Sequence, residues 1–164
     1  MSATRSRNGA LATLVGAGLL AAGPVMLWRA AGGRREIRGE LAAQKIAFPT
    51  RGLPAHLTRH AGAAVRTGPQ AHAYAELIKD HVAKATGGRT YAEVTEELHA
   101  TGGDDEKLTQ LRQTAFMGET LRASLLSAYQ AWEITTLVAG LGAAFTGVGA
   151  VTLATARALR GPRA

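Results

Sequence analysis

Residues 134–156 read ITTLVAGLGAAFTGVGAVTLATA, a run of 23 residues without a charged side chain. An α-helix rises about 1.5 Å per residue, so this run would be roughly 35 Å long. That length is sufficient to cross a hydrocarbon core of about 30 Å. The run therefore predicts a transmembrane helix.

A second apolar run, residues 10–28, reads ALATLVGAGLLAAGPVMLW and also lacks charge. Arg5 and Arg7 precede it, as basic residues precede the apolar segment of a secretory signal peptide. The run is long for such a segment, and the residues after Leu27 are a poor cleavage site, which favours an uncleaved signal anchor over a cleaved peptide. We expect Pro24 to bend this helix or to end its regular hydrogen bonding.

The two runs predict an all-α fold in which two transmembrane helices flank a small helical domain. We expect cytoplasmic tails at residues 1–9 and 157–164, spans at 10–28 and 134–156, and an extracytoplasmic helical domain at 29–133.

The orientation follows from charge, because basic residues beside membrane spans favour the cytoplasm. The two tails contain no acid and five arginines: Arg5, Arg7, Arg157, Arg160 and Arg163. The sequence thus predicts a multi-pass protein of the plasma membrane with both termini in the cytoplasm. Trp28, Tyr129 and Trp132 border the spans on the domain side, where amphipathic rings anchor at the level of the lipid headgroups.

The net charge of the chain supports the same interpretation. The 164 residues have a formal charge of +7 and include no cysteine, which excludes disulfides and thiolate metal sites. All 12 acids lie in residues 34–133, whereas six of the 19 basic residues lie beside the spans. The positive charge therefore indicates topology, and we expect no nucleic-acid partner.

Local signals outline the helices of the domain. Residues 34–47 are expected to extend the first span and to stop before Phe48, which precedes a proline. Residues 70–86 carry apolar side chains at helical spacing, and Gly87 predicts the end of that helix. A capping box begins at Thr90 and predicts a short helix to about residue 100.

The last helix is expected to begin at the acids 104–106, which suit the positive end of a helix dipole. Its apolar stripe includes Leu121, Leu125 and Trp132. Because no proline interrupts residues 104–156, one helix is expected to continue from the domain through the second span.

The sequence contains no catalytic constellation and predicts no cofactor. His56 and His60 are the weak candidates for a metal site, because side chains four residues apart share a face of an α-helix. A third ligand is missing nearby, so solvated loop side chains are the favoured alternative.

Small residues four apart in both spans predict close packing between helices. The candidates are Gly16, Gly18, Gly140, Ala144 and Gly147. The alternative is that glycine and alanine are simply abundant in this chain.

Three blocks of the chain carry a family resemblance: residues 41–46 (LAAQKI), the segment 67–93, and residues 121–126 (LRASLL) before the second span. Together they resemble an actinobacterial family of small two-span membrane proteins with an extracytoplasmic central region. Its members often carry the automatic label "aromatic ring-opening dioxygenase LigA". Extradiol ring cleavage needs iron held by histidine and carboxylate ligands, and these residues give that label no support.

The leading interpretation is a non-enzymatic integral membrane protein that acts as an accessory protein, a scaffold or a self-associating subunit. Its expected partners are the lipid bilayer and either a second copy or another membrane protein. One alternative is a metal-dependent enzyme that matches the dioxygenase label. Another is a module that binds anionic lipid through its basic tails, at about 1 kcal/mol per basic residue.

Overall fold

The chain is all-helical, as the sequence predicts. The computed structural model describes the backbone of residues 2–160 and the side chains of residues 9–158. The α-helices are α1 (Ser2–Ala43), α2 (Gly68–Thr86), α3 (Tyr91–Ala100) and α4 (Glu106–Arg160), and a 3₁₀ helix spans Ala55–His60. Both α1 and α4 are long and apolar enough to cross a membrane.

Helix α1 continues through Pro24, so the helix does not end there. The predicted extension to residue 47 is wrong in its last four residues, because α1 ends at Ala43. Lys45 adopts a left-handed conformation with a φ of 54°. An isolated antiparallel bridge then pairs Ala47 with Ala64. The N–H of Phe48 donates to the carbonyl of Ala63 at 2.9 Å, which fixes Phe48 in an extended segment.

Helix α2 begins two residues earlier than predicted. The Thr67 hydroxyl accepts a hydrogen bond from the N–H of Gln70 at 3.4 Å, and Pro69 lies in the first turn, where its missing N–H costs nothing. Gly87 ends the helix with a φ of 65°, which confirms the predicted stop.

Helix α3 has the predicted capping box at its start. The Thr90 hydroxyl accepts from the N–H of Glu93 at 3.3 Å, and the N–H of Thr90 donates to the Glu93 carboxylate at 2.7 Å. The N–H and the hydroxyl of Thr90 both donate to this carboxylate, the hydroxyl at 2.8 Å, so they favour its ionised form and lower the pKa of Glu93 below its ordinary value.

Helix α4 is continuous over 55 residues, which confirms that one helix extends from the domain through the second apolar run. The Asp105 carboxylate caps it by accepting from the N–H of Leu108 at 2.9 Å. The stripe was predicted to include Leu121, but that side chain is 49% exposed, whereas Leu125 is buried. The contact face follows Gly118 instead, because the Cβ of any other residue there would collide with Val82 on α2.

Contacts divide the chain into two compact units. One consists of α1 up to Arg35 and α4 from Glu133, and we call it the apolar helix pair. The other, Glu36–Trp132, is the domain. The domain core combines both ends of the unit's sequence with α2, and its buried members include Leu41, Phe48, Leu57, Val65, Ala71, Ala75, Leu77 and Leu125. Since Leu41 belongs to α1 and Leu125 to α4, the small core depends on the two long helices.

Candidate functional site

Within the apolar helix pair, α1 and α4 run antiparallel and meet at small residues spaced seven apart. The buried small residues at this spacing are Gly9, Gly16, Gly23 and Ala30 on α1, and Gly142, Gly149 and Ala156 on α4. We call these residues the glycine seam. Gly16 faces Gly149, and Gly23 faces Gly142. A repeat of seven keeps one line of contact along two helices that coil around each other.

At the facing glycines of the glycine seam, the distances leave no room for a Cβ. A Cβ on Gly23 would lie 2.6 Å from the carbonyl oxygen of Gly142, and a Cβ on Gly142 would lie 2.8 Å from the carbonyl oxygen of Gly23. A Cβ on Gly149 would likewise lie 2.8 Å from the carbonyl oxygen of Gly16. The two backbones therefore approach to a separation that only residues without a Cβ allow.

The helix-packing residues predicted from four-residue spacing have different positions. Gly16 lies in the glycine seam. A Cβ built on Gly18, Gly140 or Gly147 meets no atom within 4 Å, and Ala144 is exposed, so these four residues face away from the opposite helix. The signal that sequence reasoning missed is the seven-residue repeat of small residues, which a search at four-residue spacing does not detect.

The outward faces of the apolar helix pair are covered with large apolar side chains. The exposed ones include Leu11, Leu14, Val15, Val25, Ile134, Leu137, Leu141, Val148 and Val151. In the most apolar window of each helix, only 11% of the residues are buried. A core helix of a water-soluble protein is mostly buried, whereas these two helices leave most of their apolar surface exposed.

Several polar groups of the apolar helix pair have hydrogen-bond partners within it. Four threonine hydroxyls donate to the carbonyl four residues earlier at 2.7 to 2.9 Å: Thr13, Thr146, Thr152 and Thr155. Arg34 donates from Nε to the Thr135 hydroxyl at 3.3 Å and from Nη2 to the Thr136 hydroxyl at 2.9 Å. Polar groups in an apolar solvent need hydrogen-bond partners of this kind within the protein.

The three predicted interface anchors have different surroundings. Trp28, in the apolar helix pair, is 72% exposed. In the domain, Trp132 packs against Gly68 at the start of α2, and the Arg38 guanidinium lies 5.3 Å from the centroid of its ring. The ring of Tyr129 contacts that of His72, with 4.6 Å between centroids.

His56 and His60, the weak candidates for a metal site, do not share a helix face. They lie in the 3₁₀ helix, where residues four apart point about 120° away from each other and do not share a face. His60 stacks on Phe48 and accepts a hydrogen bond from Arg59 at 3.1 Å, while His56 is exposed. Among the described residues, no group of three or more His, Cys, Asp or Glu could hold a metal ion.

The arginines chosen for topology lie at the ends of the described chain. Arg157 is exposed near the end of α4. Arg5 and Arg7 belong to α1 and Arg160 to α4 by their backbones, while Arg163 lies outside the described residues.

Comparison with known proteins gives no relative. The chain matches no protein-family model, no curated protein and no solved structure.

Proposed function

We propose that this chain is a non-enzymatic integral membrane protein in which the apolar helix pair crosses the bilayer twice and presents the domain on one side. The observation that carries the proposal is the contrast between the two sides of the pair. The inner side is closed by the glycine seam, and the outer sides expose leucine, isoleucine and valine. Acyl chains would cover that surface without an energetic penalty, whereas water would not.

Extraction of cell membranes tests integration. We expect the full chain to remain in the membrane pellet after washing with alkaline carbonate and to enter the supernatant only with detergent. Release by carbonate alone would contradict the two spans. If the protein stays in the pellet even in detergent, it is aggregated. Flotation on a density gradient distinguishes aggregation from membrane association.

We further propose a location in the plasma membrane, with both termini cytoplasmic and the domain extracytoplasmic. The support is the set of five tail arginines and the absence of acids among them. The chain lacks cysteine, so single-cysteine variants can be made without first replacing native cysteines. A membrane-impermeant maleimide should label Ala100→Cys, exposed at the end of α3, in intact cells. It should label Ser6→Cys only after lysis, and the reverse pattern would contradict this orientation.

The proposed role is that of an accessory protein, a scaffold or a self-associating subunit of the actinobacterial type that the sequence resembles. The proposed partners, besides lipid, are a second copy or another membrane protein. Support comes from the outward small residues Gly18, Ala144 and Gly147, which leave room for the close approach of a further helix. Crosslinking in native membranes should give a discrete larger species that Gly147→Leu weakens.

Elemental analysis tests the enzymatic alternative. Stoichiometric iron in the purified protein, together with a change in stability on chelation, would contradict the non-enzymatic proposal.

A further inference from the structure

The charges of the domain are divided unequally along its sequence. Residues 41–75 contain no acid and four cations, all exposed: Lys45, Arg51, Arg59 and Arg66. Residues 76–119 contain nine acids and five cations. The domain therefore combines a basic segment, residues 41–75, with an acidic segment, residues 76–119, of equal and opposite net charge.

Packing within the domain places Arg66, the last cation of the basic segment, and the acidic segment toward opposite ends of α2. Helix α2 runs antiparallel to α4, because Gly68 contacts Trp132 and His72 contacts Tyr129, whereas Val82 contacts Gly118. The start of α2, which follows directly on Arg66, thus lies where α4 leaves the domain. The later part of α2 lies toward the beginning of α4, and the acidic segment extends from there.

A cluster of cations and rings occupies the end of the domain where α4 leaves. Arg38 lies over the Trp132 ring, His72 lies against Tyr129, and the backbone of Arg66 is tied to the first turn of α2 by a 2.9 Å hydrogen bond to Gln70. Arg38 and Arg66 are exposed, and neither makes an ion pair with any described carboxylate. A guanidinium stacked on a ring keeps its edge N–H groups available for an anion such as a phosphate.

The position of the rings along α4 identifies what this end would meet. Trp132 precedes the apolar run at residue 134 by two residues, or about 3 Å of helix, and Tyr129 by about 7.5 Å. The polar headgroup layer on each side of a bilayer is roughly 5–8 Å deep. If α4 crosses the membrane, both rings lie in that layer together with the cations beside them.

We propose that Arg38, Arg66, His72, Tyr129 and Trp132 form a surface that binds the headgroups of anionic phospholipids in the leaflet next to the domain. The two arginines donate hydrogen bonds to lipid phosphate, and the two aromatic rings pack at the boundary of the acyl chains. This inference rests on the proposed function, since it requires α4 to enter a bilayer.

The test uses the full chain reconstituted in phospholipid vesicles. The chain has two tryptophans, so Trp28→Phe leaves Trp132, in the cluster, as the single tryptophan. Vesicles contain either brominated phosphatidylglycerol or brominated phosphatidylcholine, with the bromines near the headgroup end of the acyl chains. Quenching of Trp132 then reports which lipid occupies the surface.

We expect brominated phosphatidylglycerol to quench Trp132 at lower mole fraction than brominated phosphatidylcholine, with a preference that weakens as salt is added. Replacing Arg38 and Arg66 by Gln should reduce the preference by about fivefold for each arginine at low ionic strength. The matched control replaces two exposed lysines of the acidic segment, Lys84 and Lys107, by Gln. It removes the same charge and should leave the preference unchanged.

Three results would overturn the inference: equal quenching by the two lipids in the parent protein, an equal loss of preference in both double variants, or no loss in either. The salt dependence of the parent protein tests the same point without any arginine variant. Flotation of the vesicles distinguishes a failure of this inference from a failure of the proposed function. Protein that floats but shows no lipid preference contradicts this inference alone, whereas protein that does not float contradicts the proposed function as well.

Discussion

The glycine seam makes a sharp prediction because α4 offers a matched pair of glycines two residues apart. Gly142 faces α1, whereas Gly140 faces outward with no atom within 4 Å of a built Cβ. Gly142→Ala and Gly140→Ala are the same chemical change in the same helix. Both gain the same helix propensity, up to about 1 kcal/mol, so the difference between them isolates the contact with α1.

The magnitude follows from the distances at Gly142. A Cβ there lies 2.8 Å from the carbonyl oxygen of Gly23 and 3.1 Å from the backbone nitrogen of Leu27, and ordinary contacts begin near 3.4 Å. The obstacle is backbone, which cannot rotate aside, so the helices must separate by several tenths of an ångström. Overpacking of this kind costs about 1–3 kcal/mol. For a chain of this size, that corresponds to a fall in Tm of about 2–12 °C.

Thermal unfolding in detergent micelles, followed by tryptophan fluorescence and circular dichroism, measures this difference. We expect Gly142→Ala to unfold at the lower temperature and Gly140→Ala to unfold at or slightly above the parent temperature. A Tm for Gly142→Ala equal to or above that of Gly140→Ala would refute the glycine seam. Combining Gly142→Ala with Gly23→Ala should cost less than the sum of the single changes, because one separation of the helices relieves both contacts.

The remaining predictions concern the domain. The bonds from Thr90 lower the pKa of Glu93, so the stabilisation they provide is present above the ordinary glutamate pKa and is lost as the pH falls through the lowered value. Glu93→Gln keeps an acceptor and should abolish this part of the pH dependence of unfolding, and an unchanged pH profile would contradict the assignment. Gly118→Ala should destabilise the domain by about 1–3 kcal/mol in denaturant titrations, and Val82→Ala should partly restore stability by removing the methyl groups that the new Cβ meets. Leu77→Ala, at a side chain 2% exposed, should cost about 2–5 kcal/mol, and a cost below 1 kcal/mol would show that the core differs from that described.

The sequence predicted the helix boundaries that depend on interactions between neighbouring residues. Gly87 ends α2 because its left-handed φ is open to glycine, and Thr90 starts α3 because its hydroxyl caps the first turn. The end of α1 was wrong because it depends on a distant segment. Phe48 pairs with Ala63 through the backbone, and no residue near position 43 reveals that pairing.

The sequence alone also did not predict which face of α4 contacts α2 in the domain. A helical stripe tolerates either Leu121 or Gly118 on its inner side, since a stripe is wide enough to include several residues per turn. Val82 on α2 determines that Gly118 lies on the inner side. Its branched side chain is rigid in a helix and fits only against a glycine.

The sequence by itself determined the helical class, the two apolar runs, the continuity of α4 and the uneven distribution of charge, because each depends on composition or on neighbours in the chain. The tertiary structure decided which small residues meet. Gly16 and Gly140 are equivalent in composition, and both belong to four-residue pairs of small residues. Only the antiparallel arrangement of α1 and α4 puts Gly16 against Gly149 and turns Gly140 outward, because contact between helices depends on relative rotation and register, which neither helix encodes alone.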